Sequence, residues 1–321
     1  MKAVIYTEYG RAADVLRLAE IEKPVPKDDE VLIKIRAAGL NALDWRLMCG
    51  KPMFMRLMVG GLRKPKTTRP GVDVAGQVEA VGKSVTQFKP GDAVFGVCDG
   101  ACAEYVCTRE AKLVLKPANI SFEEAAAVPV AAVTALQGLR DKGRIQRGQK
   151  VLIVGASGGV GTFAIQIAKV FGAEVTAVCS TRNVEQARSI GADHVIDYTK
   201  EDFTRNGQRY DIIYAANSHR SVFDYRPSLG PNGIFVMAGG GLPQIFQTML
   251  LAWPLSIGRK KVRFIMTRTK KADFLLLKDM LEAGTIRSVI DRRYPLRDAA
   301  EGVGYVEEGH ARGKVVISMS D

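Results

Sequence analysis

Val151-Leu152-Ile153-Val154-Gly155-Ala156-Ser157-Gly158-Gly159-Val160-Gly161 carries an apolar run through a glycine-rich turn into an amphipathic segment. Such a turn can do one kind of chemistry well. Glycines let the backbone bend sharply and approach a pyrophosphate, while the helix start supplies free N–H groups and a positive dipole end. The pattern departs from G-x-G-x-x-G, because Ala156 fills the first glycine slot. The alternative is a tight turn without a ligand, for which three glycines within four residues would weaken a helix start to no purpose. Dinucleotide binding is therefore expected at this loop, residues 156–161.

Cofactor choice is read at the end of the following strand, Val175-Thr176-Ala177-Val178-Cys179-Ser180-Thr181-Arg182-Asn183. Sites for NAD usually place an acid there to accept from the ribose hydroxyls. Here Ser180 and Arg182 offer a hydroxyl and a guanidinium, which suit a 2′-phosphate. NADPH is favoured over NADH, unless Arg182 is only a solvated surface charge.

These residues need elements to position them. From Lys150 the chain alternates apolar strands with amphipathic helices. Strands are expected at Val151–Val154, Glu174–Cys179, His194–Ile196, Asp211–Tyr214 and Gly233–Met237, with helices at Thr162–Phe171 and Val184–Ile190. Repeated β-α-β units require a parallel sheet covered on both faces. The first ~115 residues read instead as β-rich, with near-strict alternation over Val31–Arg36 and a turn at Lys89-Pro90-Gly91-Asp92. Ser121 and Glu124 form a capping-box signature, and Pro129 must break the alanine-rich helix that follows. Lys314–Ser318 reads as a strand that returns to the first domain, making the α/β unit an insertion.

At 321 residues the chain holds about two domains. The start, Met1 to Glu8, reads as a strand without the apolar core or cleavage site of a signal peptide. Leu242–Ile257 is broken by Pro243 and Pro254, too short to span a bilayer. A cytoplasmic protein is expected. The net charge of +12 concentrates between Asp44 and Asp73 and between Pro254 and Asp273. Solvated loops are the plainest reading; a polyanionic cofactor or peripheral membrane contact are sharper ones, the latter because Met53, Phe54, Met55, Leu57, Met58 and Val59 sit in the first cluster. No nucleic-acid motif accompanies the charge, and no nucleic acid is expected. The five cysteines, Cys49, Cys98, Cys102, Cys107 and Cys179, read as reduced thiols, since their spacing lacks paired C-x-x-C zinc geometry.

Over essentially its whole length the chain resembles the zinc-independent medium-chain dehydrogenase/reductase family, the group of quinone oxidoreductases and zeta-crystallin. The resemblance rests on Gly39–Asp44, Pro70–Gly76, Gly91–Gly96, Gly100–Val106, Val128–Ala135 and the glycine motif. Gly309-His310-Ala311-Arg312-Gly313-Lys314-Val315-Val316-Ile317 is similar to the reticulon-interacting and chloroplast-envelope branch. It implies a doubly wound Rossmann domain over residues 123–290, inserted into a β-rich GroES-like domain of residues 1–122 plus 291–321. Zinc members of the superfamily ligate metal through a cysteine and a histidine where this chain has Asn41 and Val72, so no metal site is expected.

The resemblance further implies hydride transfer from NADPH to an α,β-unsaturated carbonyl or a quinone. Asn41 and Asp44 would line the nicotinamide end with Thr134 nearby, Asn41 donating to an enolate oxygen and Asp44 orienting its neighbours. Cofactor roles are implied for Ser157, Gly158, Gly159, Val160, Ser180, Arg182 and Tyr198, for Asn217, Gly239 and Gly241 after strand ends, and for His310, Ala311 and Arg312. The proton donor stays open. Leu242–Ile257, with Phe246, Met249, Leu250, Leu251 and Trp253, is expected to cover a small apolar acceptor or to form a dimer face; monomer and homodimer both remain open. Two other readings stand: a non-catalytic NADPH-binding protein acting on RNA or a membrane surface, and an enoyl-thioester reductase.

Overall fold

The computed structural model describes residues 1–50, 56, 61–66 and 68–319. The apolar residues of the first basic cluster, Met53 to Val59, lie outside the described residues apart from Arg56. Two compact units form, residues 131–268 and residues 1–130 with 269–321. In chain order the strands are β1 (Lys2–Ile5), β2 (Arg17–Glu20), β3 (Glu30–Leu40), β4 (Asp73–Val81), β5 (Ala93–Val97), β6 (Tyr105–Arg109) and β7 (Leu113–Leu115). They continue as β8 (Lys150–Val154), β9 (Glu174–Cys179), β10 (His194–Asp197), β11 (Tyr210–Ala215), β12 (Leu229–Met237), β13 (Lys261–Phe264), β14 (Ile290–Pro295) and β15 (Lys314–Ser318).

The 131–268 unit is built on one parallel sheet ordered β10-β9-β8-β11-β12-β13. Counted within the unit that order is 3-2-1-4-5-6, the doubly wound Rossmann topology. Val151, Leu152 and Ile153 of β8 are fully buried, as a strand covered on both faces must be. Helix Gly159–Val170 follows and buries every residue from Gly161 to Ala168. The strand order switches sides between β8 and β11, the point at which parallel sheets of this order take ligands beyond their strand carboxyl ends.

In the other unit β14-β15-β3-β4-β5-β7 form a mixed sheet, with β6 paired to β3. β15 runs antiparallel to β3, Val315 opposite Leu40 and Ile317 opposite Ala38. The chain end thus closes the β-rich unit, as its sequence implied. Pro129 opens helix Pro129–Gln137 after helix Phe122–Ala126 has ended, the break its ring demands.

The boundaries of these units differ from the sequence expectation. Helix Lys271–Glu282, assigned by sequence to the Rossmann domain, packs in the β-rich unit. There Phe274 meets Phe95 edge-on at 6.5 Å, and the Asn119 amide donates to the Leu281 carbonyl at 3.0 Å. Residues 123–130 belong there too, since the Val130 N–H donates to Asp73 Oδ1 at 2.9 Å. An amphipathic helix announces that it has an apolar face, not which core will receive it.

Candidate active site

The glycine turn depends on its glycines at two positions. Gly155 holds φ at +74°, a left-handed conformation in which a Cβ would lie 2.8 Å from the Asn217 nitrogen. At Gly161 a Cβ would stand 2.1 Å from the Gly155 carbonyl oxygen, so only glycine lets helix and turn close on each other. Gly158 is different: it caps the helix in extended conformation, and an added Cβ meets nothing nearer than 3.7 Å. Ser157, Gly158, Gly159 and Val160 are all partly exposed around this opening. The turn fits a pyrophosphate, its N–H groups and dipole end pointing where an anion would rest.

The second arm comes from the end of β9. Ser180 is half-buried and Arg182 exposed, while Asn183, which sequence reasoning passed over, is buried at 4% exposure. Its amide nitrogen donates to Ser157 Oγ and to Ser180 Oγ, each at 3.1 Å. Asp197, at the end of β10, is held down to about 2 by hydrogen bonds from Thr181 and Thr199. Tyr198 is 55% exposed, its backbone N–H on the Cys179 carbonyl. Asn217 follows β11 and is exposed, and Gly239 and Gly241 follow β12. The Ser218 N–H donates to the Gly239 carbonyl at 3.1 Å, which draws the two strand ends together. The predicted cofactor residues that follow β8 to β12 therefore share one end of one sheet. Thr134, in helix Pro129–Gln137, is buried; its hydroxyl meets that of Thr267 at 2.9 Å and its carbonyl accepts from Tyr214.

Asn41 and Asp44 lie in the β-rich unit, where two residues missed by sequence join the first of them. Asn41 precedes helix Ala42–Cys49, and its backbone N–H donates to Asp44 Oδ2 at 2.7 Å. The Gly71 N–H donates to Asp44 Oδ1 at 3.0 Å. The Asn41 side chain donates from Nδ2 to Asp73 Oδ2 at 2.9 Å, and its Oδ1 accepts from Lys314 Nζ at 2.7 Å. Lys314 also pairs with Asp73 at 3.0 Å, the two side chains 3% and 0% exposed. A signal was present in the sequence: each is a charged residue that opens an apolar strand, and a charge buried there needs a partner.

Asp44 serves as a brace. Its two oxygens hold backbone N–H groups of two separate chain segments, at Asn41 and at Gly71. Burial, with Asp73 nearby, pushes its carboxyl up to about 6 from 3.8, against the pull of the two N–H donors. Between those values the folded state holds the extra proton. Its stabilising share is full below the unfolded value and is lost as pH rises through about 6. A rise of about two pH units is worth about 3 kcal/mol. Unfolding free energies of wild type minus those of Asp44→Asn should therefore fall by about 2.5 kcal/mol from pH 4 to pH 7. A difference flat across that range contradicts the assignment.

His310, Ala311 and Arg312 belong to the β-rich unit, just before β15. His310 and Arg312 are exposed, and the Arg312 N–H donates to Asp291 Oδ2 at 2.7 Å. Leu242–Leu251 is a helix, and beyond Met249 the chain leaves Leu250 75% and Trp253 80% exposed. Burial pushes the thiols of Cys98 and Cys102 up, away from nucleophilic use. Among the described residues no helix is long and apolar enough to cross a membrane.

Residues 27–118 match the alcohol dehydrogenase GroES-like domain, and residues 190–317 match the zinc-binding dehydrogenase family. Among solved structures, the quinone oxidoreductase from Coxiella burnetii superposes with a TM-score of 0.87 at 27% identity, covering 100% of this chain and 99% of that one. The chain belongs to the medium-chain dehydrogenase/reductase superfamily and is an NAD(P)H-dependent oxidoreductase. Its relatives are quinone oxidoreductase homologues. It is 34% identical to the chloroplastic quinone-oxidoreductase homolog of Spinacia oleracea, over 99% of this chain and 98% of that protein. It is 35% identical to the chloroplastic NADPH-dependent alkenal/one oxidoreductase of Arabidopsis thaliana, over 99% of this chain and 79% of that protein.

The matched family description includes zinc, and the donor set here does not fit it. The Val72 side chain has no ligating atom. The oxygen of Asn41 already faces an ammonium at 2.7 Å, a cation held by Asp73.

Proposed function

We propose that this protein reduces electron-poor double bonds, in α,β-unsaturated carbonyls or quinones, using NADPH and no catalytic metal. The observation that carries the reading is the Asn41–Lys314–Asp73 cluster, which puts a buried lysine beside the asparagine where zinc relatives have a ligand. Bound NADPH would supply a hydride from its nicotinamide. A simple ketone loses its carbonyl polariser without a Lewis acid, whereas enones and quinones spread the incoming negative charge over their own π-system.

The chain's residues have complementary tasks. Lys314 polarises the Asn41 amide through Oδ1, which strengthens its N–H groups as donors. One of those N–H groups goes to Asp73; the other, among the described residues, has only the Gly39 carbonyl at 3.4 Å, a weak bond that an enolate oxygen displaces. Asp44 fixes the backbone on which Asn41 stands. Ser157, Gly158, Gly159 and Val160 hold the pyrophosphate, while Ser180 and Arg182 bind the 2′-phosphate.

An acceptor panel tests the reaction class. Enones and quinones should be reduced with NADPH, and saturated ketones and aldehydes of matched size should not; preference for the saturated compounds contradicts the proposal. Arg182→Ala tests the cofactor arm by direct titration. It should weaken NADPH about tenfold and NADH less than about twofold, and equal losses for the two cofactors would remove Arg182 from the 2′-phosphate site.

A further inference from the structure

Asn183 stands where helix Val184–Ser189 begins, a position at which asparagine side chains ordinarily cap the helix. Its side chain makes no capping bond. It turns inward instead, buried, and spends its amide nitrogen on two serine oxygens from different segments: Ser157 of the glycine turn and Ser180 of the β9 arm. An amide nitrogen only donates, so each serine oxygen must accept from it. Each hydroxyl keeps a single proton, and neither proton has an acceptor among the described residues.

We infer that Asn183 is a positioning residue for the cofactor phosphates, which holds the Ser157 and Ser180 hydroxyls as outward donors toward the pyrophosphate and the 2′-phosphate. The inference rests on the NADPH reading above and adds a device to it. A free serine hydroxyl rotates and offers either a proton or a lone pair. An anion can use only the proton, so two hydroxyls whose lone pairs face Asn183 are already set for phosphate and need no reordering on binding. One side chain thereby ties the turn that takes any dinucleotide to the arm that distinguishes its phosphorylated form.

A double-mutant cycle, read by titration with NADPH and with NADH, tests this. In the wild-type background Asn183→Ala should weaken NADPH about tenfold and NADH about threefold, since NADH engages only the Ser157 half of the device. In a Ser157→Ala/Ser180→Ala background the same change should cost less than about twofold, because the hydroxyls it acts through are gone. If the alanine variant does not fold, Asn183→Asp replaces it: the volume stays, the two donors are lost, and the added charge acts in both backgrounds and cancels in the cycle. Equal losses in the two backgrounds, or no loss in either, overturn the inference. Wild-type protein that binds neither cofactor overturns the underlying NADPH reading instead, so the two failures are distinct.

Discussion

Gly158→Asp should fold as well as the wild type and lose NADPH. Gly158 sits in extended conformation at the start of helix Gly159–Val170, with room for a Cβ. Aspartate is a favoured helix cap, so the change should leave stability level or raise it by a few tenths of a kcal/mol. Its carboxylate would then stand on the N–H groups a pyrophosphate needs. Two like charges about 4 Å apart near a protein surface repel by up to about 4 kcal/mol, so NADPH affinity should fall roughly 100-fold or more. Thermal unfolding and cofactor titration on one preparation check both halves. Unchanged affinity would show that no phosphate lies on this turn. Gly161 could not serve for the experiment, because the clash of a Cβ with Gly155 would confound binding with folding.

Lys314→Met should cost about 3–5 kcal/mol of unfolding free energy, the penalty for leaving a buried charge without its partner. Asp73 is fully buried, and without the lysine it keeps, among the described residues, the Val130 and Asn41 N–H donors. The double variant Asp73→Asn/Lys314→Met should recover more than half of that loss, because no charge is then stranded. Denaturant unfolding of the three proteins measures it. A cost below about 1 kcal/mol for the single variant would mean that water reaches the pair, and the cluster would not be the dry, preorganised donor set described above.

Much of the fold could be read from the residues because the Rossmann unit writes its physics locally. Unbroken apolar runs such as Val151–Val154 mark strands buried on both faces, and Gly155 and Gly161 mark a turn that no other residue can make. Lys314–Ser318 was legible as a strand from its own apolar run, and it pairs with β3. What sequence hid depends on partners far along the chain. Lys314 and Asp73 meet across 241 positions, and nothing local to either says where its counter-charge lies. Asn183 was passed over because one of its two serine partners, Ser157, lies in a different turn of the chain. The extent of each unit depends on distant partners in the same way: Lys271–Glu282 carries an apolar face, and nothing local says which core receives it.

One measurement tests the central claim most directly: oxidation of NADPH by an enone, followed on protein stripped with a strong zinc chelator and assayed for residual metal. The rate should survive the stripping intact, with NADPH the better donor than NADH. Loss of turnover on chelation, restored by added zinc, would contradict it.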